Sequence, residues 1–111
     1  VRDVLTALNT GHDGGWATIH ANGARDVPAR LSALGALAGM GEEAVAAQAA
    51  SALDAVLHMR RSPCGHRWVS EVGVLTRARG PLECAVALSA TASGQVTTHE
   101  AWASLARKAG L

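Results

Sequence analysis

Large aromatic rings are almost missing from this chain. They make up 3% of it, all three are Trp, and there is neither Phe nor Tyr. A core made from such a chain has to be built from Ala, Leu and Val. Lysine is nearly absent too: nine of the ten basic residues are Arg, the exception being Lys108. With a net charge of +1 there is no concentrated basic face of the kind nucleic acid needs. Nor are aromatic platforms interleaved with basic residues for single strands. No run approaches the ~20 consecutive apolar residues of a membrane-spanning helix, so no membrane insertion is expected. The chain opens on Val1 without a charged segment leading into an apolar run, which is not the pattern of a signal peptide. The expectation is therefore of a fragment with sequence missing upstream. The two cysteines, Cys64 and Cys84, have no CxxC spacing and read as reduced cytosolic thiols, with a disulfide as the minor alternative. There is no GxSxG elbow, which removes support for a serine hydrolase.

What is present suffices for one domain at most. The chain has 111 residues, 49% of them hydrophobic and 17% charged, which is ample apolar material and too little charge for disorder. Residues 2–9 read as a helix end with Val4, Leu5 and Leu8 on one stripe, stopped by a breaker-rich loop over 9–15. Residues 16–20 are short, partly β-branched and bounded by turns, which predicts a strand. A helix is predicted from about Asp26, with Pro28 in its first turn and Leu31, Leu34, Leu37 and Ala38 as its buried stripe. Gly39-Met40-Gly41 interrupts it. A second, Ala-rich helix should run from Glu42 to about Leu53, its first-turn acids suited to the positive helix end. From residue 55 the period changes. Strands are predicted over 55–59, 68–75 and 82–88, the first two as an antiparallel hairpin around residues 62–65. Thr97 and Glu100 have the spacing of a capping box opening a final helix with Ala101, Leu105 and Ala109 on one face. The fold class expected is α/β, with helices early and an antiparallel meander with a closing helix at the end.

The segment most informative about chemistry is residues 9–22. Two histidines, His12 and His20, flank a glycine-rich loop and the predicted strand. Thr18 lies two residues before His20, so a strand would put hydroxyl and imidazole on one face. Ligands of open α/β sheets gather at strand carboxyl ends, and a histidine can donate a hydrogen bond to a phosphate oxygen.

This segment resembles the histidine box of the type II/IV secretion ATPase superfamily, most closely the CpaF-like ATPases of tight-adherence (Flp) pilus assembly. Their pattern reads approximately Asn-Thr-Gly-His-x-Gly-x-x-Thr-Thr-x-His-Ala-Asn. Asn9, Thr10, Gly11, His12, Gly14, Thr18, His20, Ala21 and Asn22 stand at the matching positions. Ala17 replaces the first of the two threonines, and Trp16 a residue that is more often aliphatic. Downstream, Arg30-Leu31, the Ala-rich helices, Asp54 and Glu71-Val72 also match in outline. The resemblance implies the C-terminal part of a RecA-like P-loop ATPase core, with residues 1–54 as its histidine-box and helical part and 55–111 as its meander and closing helix. It implies a hexameric cytoplasmic ATPase, peripheral at the inner membrane through platform proteins of a pilus or secretion system. ATP and Mg²⁺ would be its ligands in the full-length parent. His20 would lie near the γ-phosphate, with Thr18 supporting that strand end and His12 organising the loop. Gly11, Gly14 and Asn22 would shape the nucleotide-site loop. Arg30 would contact a carboxylate or phosphate, against the plainer reading of a solvated helix face.

The departure is equally plain. No GxxxxGK[ST] occurs anywhere, and the acidic Walker B residues should precede Val1. A chain without the amide cradle, Lys and Mg²⁺-binding hydroxyl of a P-loop is not expected to hold ATP or hydrolyse it alone. An alternative from another class is a non-catalytic interaction or assembly module derived from the same fold. A metal site is not expected, because the eight-residue gap between His12 and His20 fits no compact zinc spacing. Arg60-Arg61 reads as a solvated strand end, Trp68 and Trp102 as anchors of a small Ala-rich core, and Cys64 as an exposed turn thiol. Glu71 has no His partner near it in sequence and is not offered as a general base.

Overall fold

Among the described residues, helix formation begins where the Asp-Val-Pro triplet allows it. The computed structural model describes residues 18–108 and 110. A 3₁₀ turn, Ala24–Asp26, leads into helix α1, Val27–Leu37, with Asp26 as its N-cap residue and Pro28 in its first turn. Pro is tolerated there because the first helical amides have no intrahelical partner. Gly39 at φ +78° ends the helix, a backbone that L side chains rarely adopt. Helix α2, Glu42–Ala52, follows with both glutamates in its first turn.

The buried stripe of α1 differs from the expected one. Val27, Leu31 and Gly35 face inward, whereas Leu34 is half-buried, Ala38 is exposed and Leu37 is 86% exposed. The reason is the neighbour: α2 approaches so closely at Gly35 that a Cβ there would run into the Val45 side chain. Only the glycine-bearing face admits that approach, and it draws the i, i+4, i+8 set inward with it. Val45 and Ala49 on α2 are fully buried in return.

The meander forms a four-stranded antiparallel sheet in the order β1, Val56–Arg61; β2, Arg67–Thr76; β3, Glu83–Ala90; and β4, Val96–Thr98. The predicted hairpin and third strand are therefore present, with turn glycines Gly65 and Gly80 at φ +91° and +101°. Two bulges bend the ladder. Between His58 and Met59 the partners jump from Glu71 to Val69, so Ser70 is the extra residue. Between Val72 and Gly73 they jump from Leu88 to Val86, leaving Ala87 unpaired. Both extra residues are buried, and Ser70 Oγ donates to the His58 carbonyl at 3.2 Å. A bulge of this kind re-aims the side chains beside it.

Two expectations need correction here. Thr97 does not cap a helix: it pairs with Ser89 in the ladder as part of β4, and the closing helix α3 begins later, at Trp102–Lys108. Backbone groups already engaged in a ladder cannot open a helix, and the His99 amide is tied to the Ala87 carbonyl at 2.8 Å. The strand predicted over 16–20 is not found either. Thr18, Ile19 and His20 belong to no regular element, having no partner strand among the described residues, while Trp16 and Ala17 lie outside them. The helix and loop expected over residues 2–15 also lie outside the described residues.

The core runs between the 3₁₀ turn, α1 and α2 on one side and β2 and β3 on the other. Ala24, Val27, Leu31, Met40, Val45, Ala49, Leu75, Cys84 and Val86 form it, which matches a core made mainly of small and aliphatic residues. Trp68 and Trp102, expected as anchors, are not part of it. Trp68 and Trp102 are half-buried, and Trp68 stacks on His66 while its indole donates to the Ala90 carbonyl at 3.1 Å. The architecture is thus a mixed α/β arrangement of helices with an antiparallel four-stranded sheet. Among the described residues no helix is long and apolar enough to cross a membrane.

Candidate functional site

The histidine segment enters the described structure at Thr18. Thr18, His20 and Asn22 are all exposed, whereas Ile19 and Ala21 between them are half-buried and lean on the core. The alternation expected of an extended segment is therefore present without the ladder. Each of the three exposed side chains, a hydroxyl, an imidazole and an amide, can donate a hydrogen bond to an anion. His12, Gly11 and Gly14 lie outside the described residues. Arg30 is exposed on α1 and belongs to no ion pair among the described residues.

Immediately after this segment the chain is fastened to the sheet. Ala24 is fully buried and sits against Gly73 of β2, where a Cβ would lie 3.3 Å from Ala24 Cβ and 2.5 Å from Cys84 Sγ. The Ala24 amide donates to Glu71 Oε1 at 2.9 Å, across 47 residues of sequence. The Asp26 amide then closes the turn on the Gly23 carbonyl at 3.1 Å. The register supplies the rest. His58 pairs with Glu71, and Glu71 with Ser89, so the three form one row across β1, β2 and β3 on a single face. His99, beyond β4, extends the row through a 3.0 Å contact between its Nε2 and Ser89 Oγ.

The row and the turn together line an open groove of about 620 Å³, which also receives Asn22, Arg25, Asp26 and Arg60. It mixes two guanidinium groups with two imidazoles and two carboxylates. Arg60, expected at a solvated strand end, is exposed as predicted. Sequence spacing alone gave no hint of Glu71, His58, Ser89 or His99 acting together. Glu71 could have been noticed as the one carboxylate in a strand that is otherwise almost apolar.

The two cysteines are free thiols in contrasting settings. Burial pushes the Cys84 thiol up to about 11, with the nearby Glu71 charge adding to the shift. The exposed Cys64 thiol is held below its ordinary value, chiefly by the Ser62 hydroxyl at 3.0 Å and then by the His66 amide. Among the described residues no group of three or more His, Cys, Asp or Glu side chains could hold a metal ion.

The exposed segment from Thr18 to Asn22 thus runs directly into a buried turn fastened to the sheet. The chain matches the family described as type II/IV secretion system protein over residues 1–109, and it belongs to that family. Two proteins of Mycobacterium tuberculosis are similar to it, one from strain CDC 1551 / Oshkosh, named "Putative conjugal transfer protein MT3759", and one from strain H37Rv, named "Putative conjugal transfer protein Rv3659c". Each is 47% identical over 83 residues, which is 75% of this chain and 24% of the relative. The chain therefore spans about a quarter of the length of these relatives. No solved structure matches it.

Proposed function

We propose that this chain is the C-terminal portion of a hexameric ATPase, CpaF-like in its histidine box and RecA-like in its core. The motor would power pilus assembly, protein secretion or, as the relatives' names suggest, conjugal transfer. The observation that carries the reading is the outward display of Thr18, His20 and Asn22 just ahead of a turn anchored in the sheet, in a chain of this family. In this reading His20 donates to the terminal phosphate of ATP and senses its presence, while Thr18 and Asn22 hold the segment's shape. His12, Gly11 and Gly14 complete the loop in front of it, and Arg30 is offered to a neighbouring carboxylate or phosphate.

In this reading the chain supplies only part of a nucleotide site. It includes no P-loop, and the described residues offer exposed donors rather than an amide cradle or a carboxylate set for Mg²⁺. ATP and Mg²⁺ would be held by the rest of the full-length protein, a homo-hexamer placed peripherally at the cytoplasmic side of the inner membrane by platform proteins. This chain then forms one wall of the site.

The test is His20→Ala in the full-length protein. ATP turnover is expected to fall by about 10²-fold or more, the loss typical of one preorganised donor, while the Kd for ATP changes less than about threefold. Equal losses in turnover and binding would overturn the sensing role. A full-length protein without a P-loop and without turnover would leave the non-catalytic assembly module as the better reading.

A further inference from the structure

We infer that Glu71 is a positioning residue for the histidine segment, acting through the Ala24 amide; this rests on the ATPase reading above for its catalytic consequence. Glu71 is placed for the task by the fold rather than by sequence. The Ser70 bulge sits directly before it, and the row from His58 to Ser89 fixes the face on which its carboxylate emerges.

The bond it makes is one the turn needs. Ala24 opens the 3₁₀ turn, and the first amides of a helical segment have no intrahelical acceptor. An exposed turn would leave such an amide to water. Ala24 is fully buried and its methyl group is seated on Gly73, so the amide depends on an acceptor supplied by the protein. Glu71 Oε1 at 2.9 Å is that acceptor. An ionised carboxylate accepting from a backbone amide is also among the stronger hydrogen bonds.

The consequence reaches His20 because the connection is short. Three residues separate His20 from Ala24, and Ile19 and Ala21 are packed against the core. The segment is thus held by apolar side chains along its length and by Glu71 at its exit. Losing the carboxylate releases the exit and leaves a buried donor unpaired, and a displacement of about 1 Å at a catalytic group can cost on the order of 10²-fold in rate. Gln keeps an acceptor oxygen at the same place, whereas Ala keeps none.

The experiment compares Glu71→Gln and Glu71→Ala, with Leu31→Ala as a control that loosens the shared core without removing the bond between Glu71 and the Ala24 amide. In the full-length protein, hydrogen exchange of the Ala24 amide and the His20 ring resonances are followed by NMR with selective labelling. In the same protein, kcat and KM for ATP are measured. Glu71→Ala is expected to speed Ala24 exchange at least tenfold, to move the His20 resonances, and to lower kcat at least tenfold with KM within threefold. Glu71→Gln should keep Ala24 protection and retain kcat within about threefold. Leu31→Ala, assayed below its melting temperature, should leave kcat and the His20 resonances in place. Unchanged His20 resonances in Glu71→Ala would overturn the proposal, as would the same kcat loss in Glu71→Gln and Leu31→Ala. If the wild-type full-length protein turns over no ATP, the ATPase reading fails. The NMR comparison then still decides the role of Glu71.

Discussion

The two ends of the helical layer are made of similar residues and behave in opposite ways. At one end Ala24 is fully buried on Gly73 and its amide is bonded to Glu71. At the other end Leu37 is 86% exposed beside Ala38 and Gly39, which are exposed as well. Hydrophobicity does not distinguish them, since Leu37 is the more apolar residue. The difference lies in what each end can approach. A glycine on a central strand lets a methyl group and an amide reach the sheet, while the C-terminal end of α1 leaves Leu37 to solvent. The locked end is the one that carries the histidine segment. A small residue in the right place therefore does more for the site than a large apolar one in the wrong place.

That comparison can be broken most forcefully through the core. Leu31→Ala removes a buried side chain from the face shared by α1 and the sheet, and should cost about 2–5 kcal/mol in denaturant unfolding. Leu37→Ala removes the same group from the exposed end and should cost less than about 0.5 kcal/mol. Equal costs would mean that the two ends are not different in the way described. Gly73→Val sharpens the point. Its side chain would collide with Cys84 and Ala24, so a loss of about 1–3 kcal/mol should appear together with faster exchange of the Ala24 amide.

The Cys84 thiol offers a milder probe of the same junction. Its ionisation is raised from 9.0 to about 11 by burial and by Glu71. A raised value means that the folded state keeps the proton longer than the unfolded chain. The associated stability is therefore intact below pH 9 and is lost as pH rises from 9 toward 11, by roughly 1–2 kcal/mol. Chemical denaturation across that window should show the decline, and Cys84→Ser should flatten it. At neutral pH the smallest effect is chemical: Cys64, exposed and with a lowered ionisation, should be alkylated well before Cys84. Reaction at equal rates would mean that the junction opens readily.

Local chemistry made much of the fold readable. The start of α1 at Asp26-Val27-Pro28, the break at Gly39, the length of α2 and the β1–β2 hairpin all follow from capping, breakers and alternation. Thr97 shows where such reasoning stops. Its Ser/Thr-x-x-Glu spacing is a fair helix signal, yet pairing with Ser89 took those residues into β4. The buried face of α1 was misread for a related reason: two stripes on that helix are nearly equally apolar, and the approach of α2 at Gly35 chose between them. In the site, Thr18, His20 and Asn22 were legible as a motif. The groove that begins at Asn22 was not, since His58, Glu71, Ser89 and His99 come from four separate stretches.

By itself, the sequence determined the element types from residue 26 to residue 90, a core made mainly of small and aliphatic residues, and the spacing of the polar segment from Thr18 to Asn22. Those depend on short-range preferences and composition, which every residue carries with it. Tertiary structure alone decided which face of α1 is buried, that β4 exists, and that Glu71 receives the Ala24 amide. Each of these depends on groups brought together across strands by register and by bulges at Ser70 and Ala87. Such contacts span up to 47 residues, and no local periodicity encodes a distance of that kind.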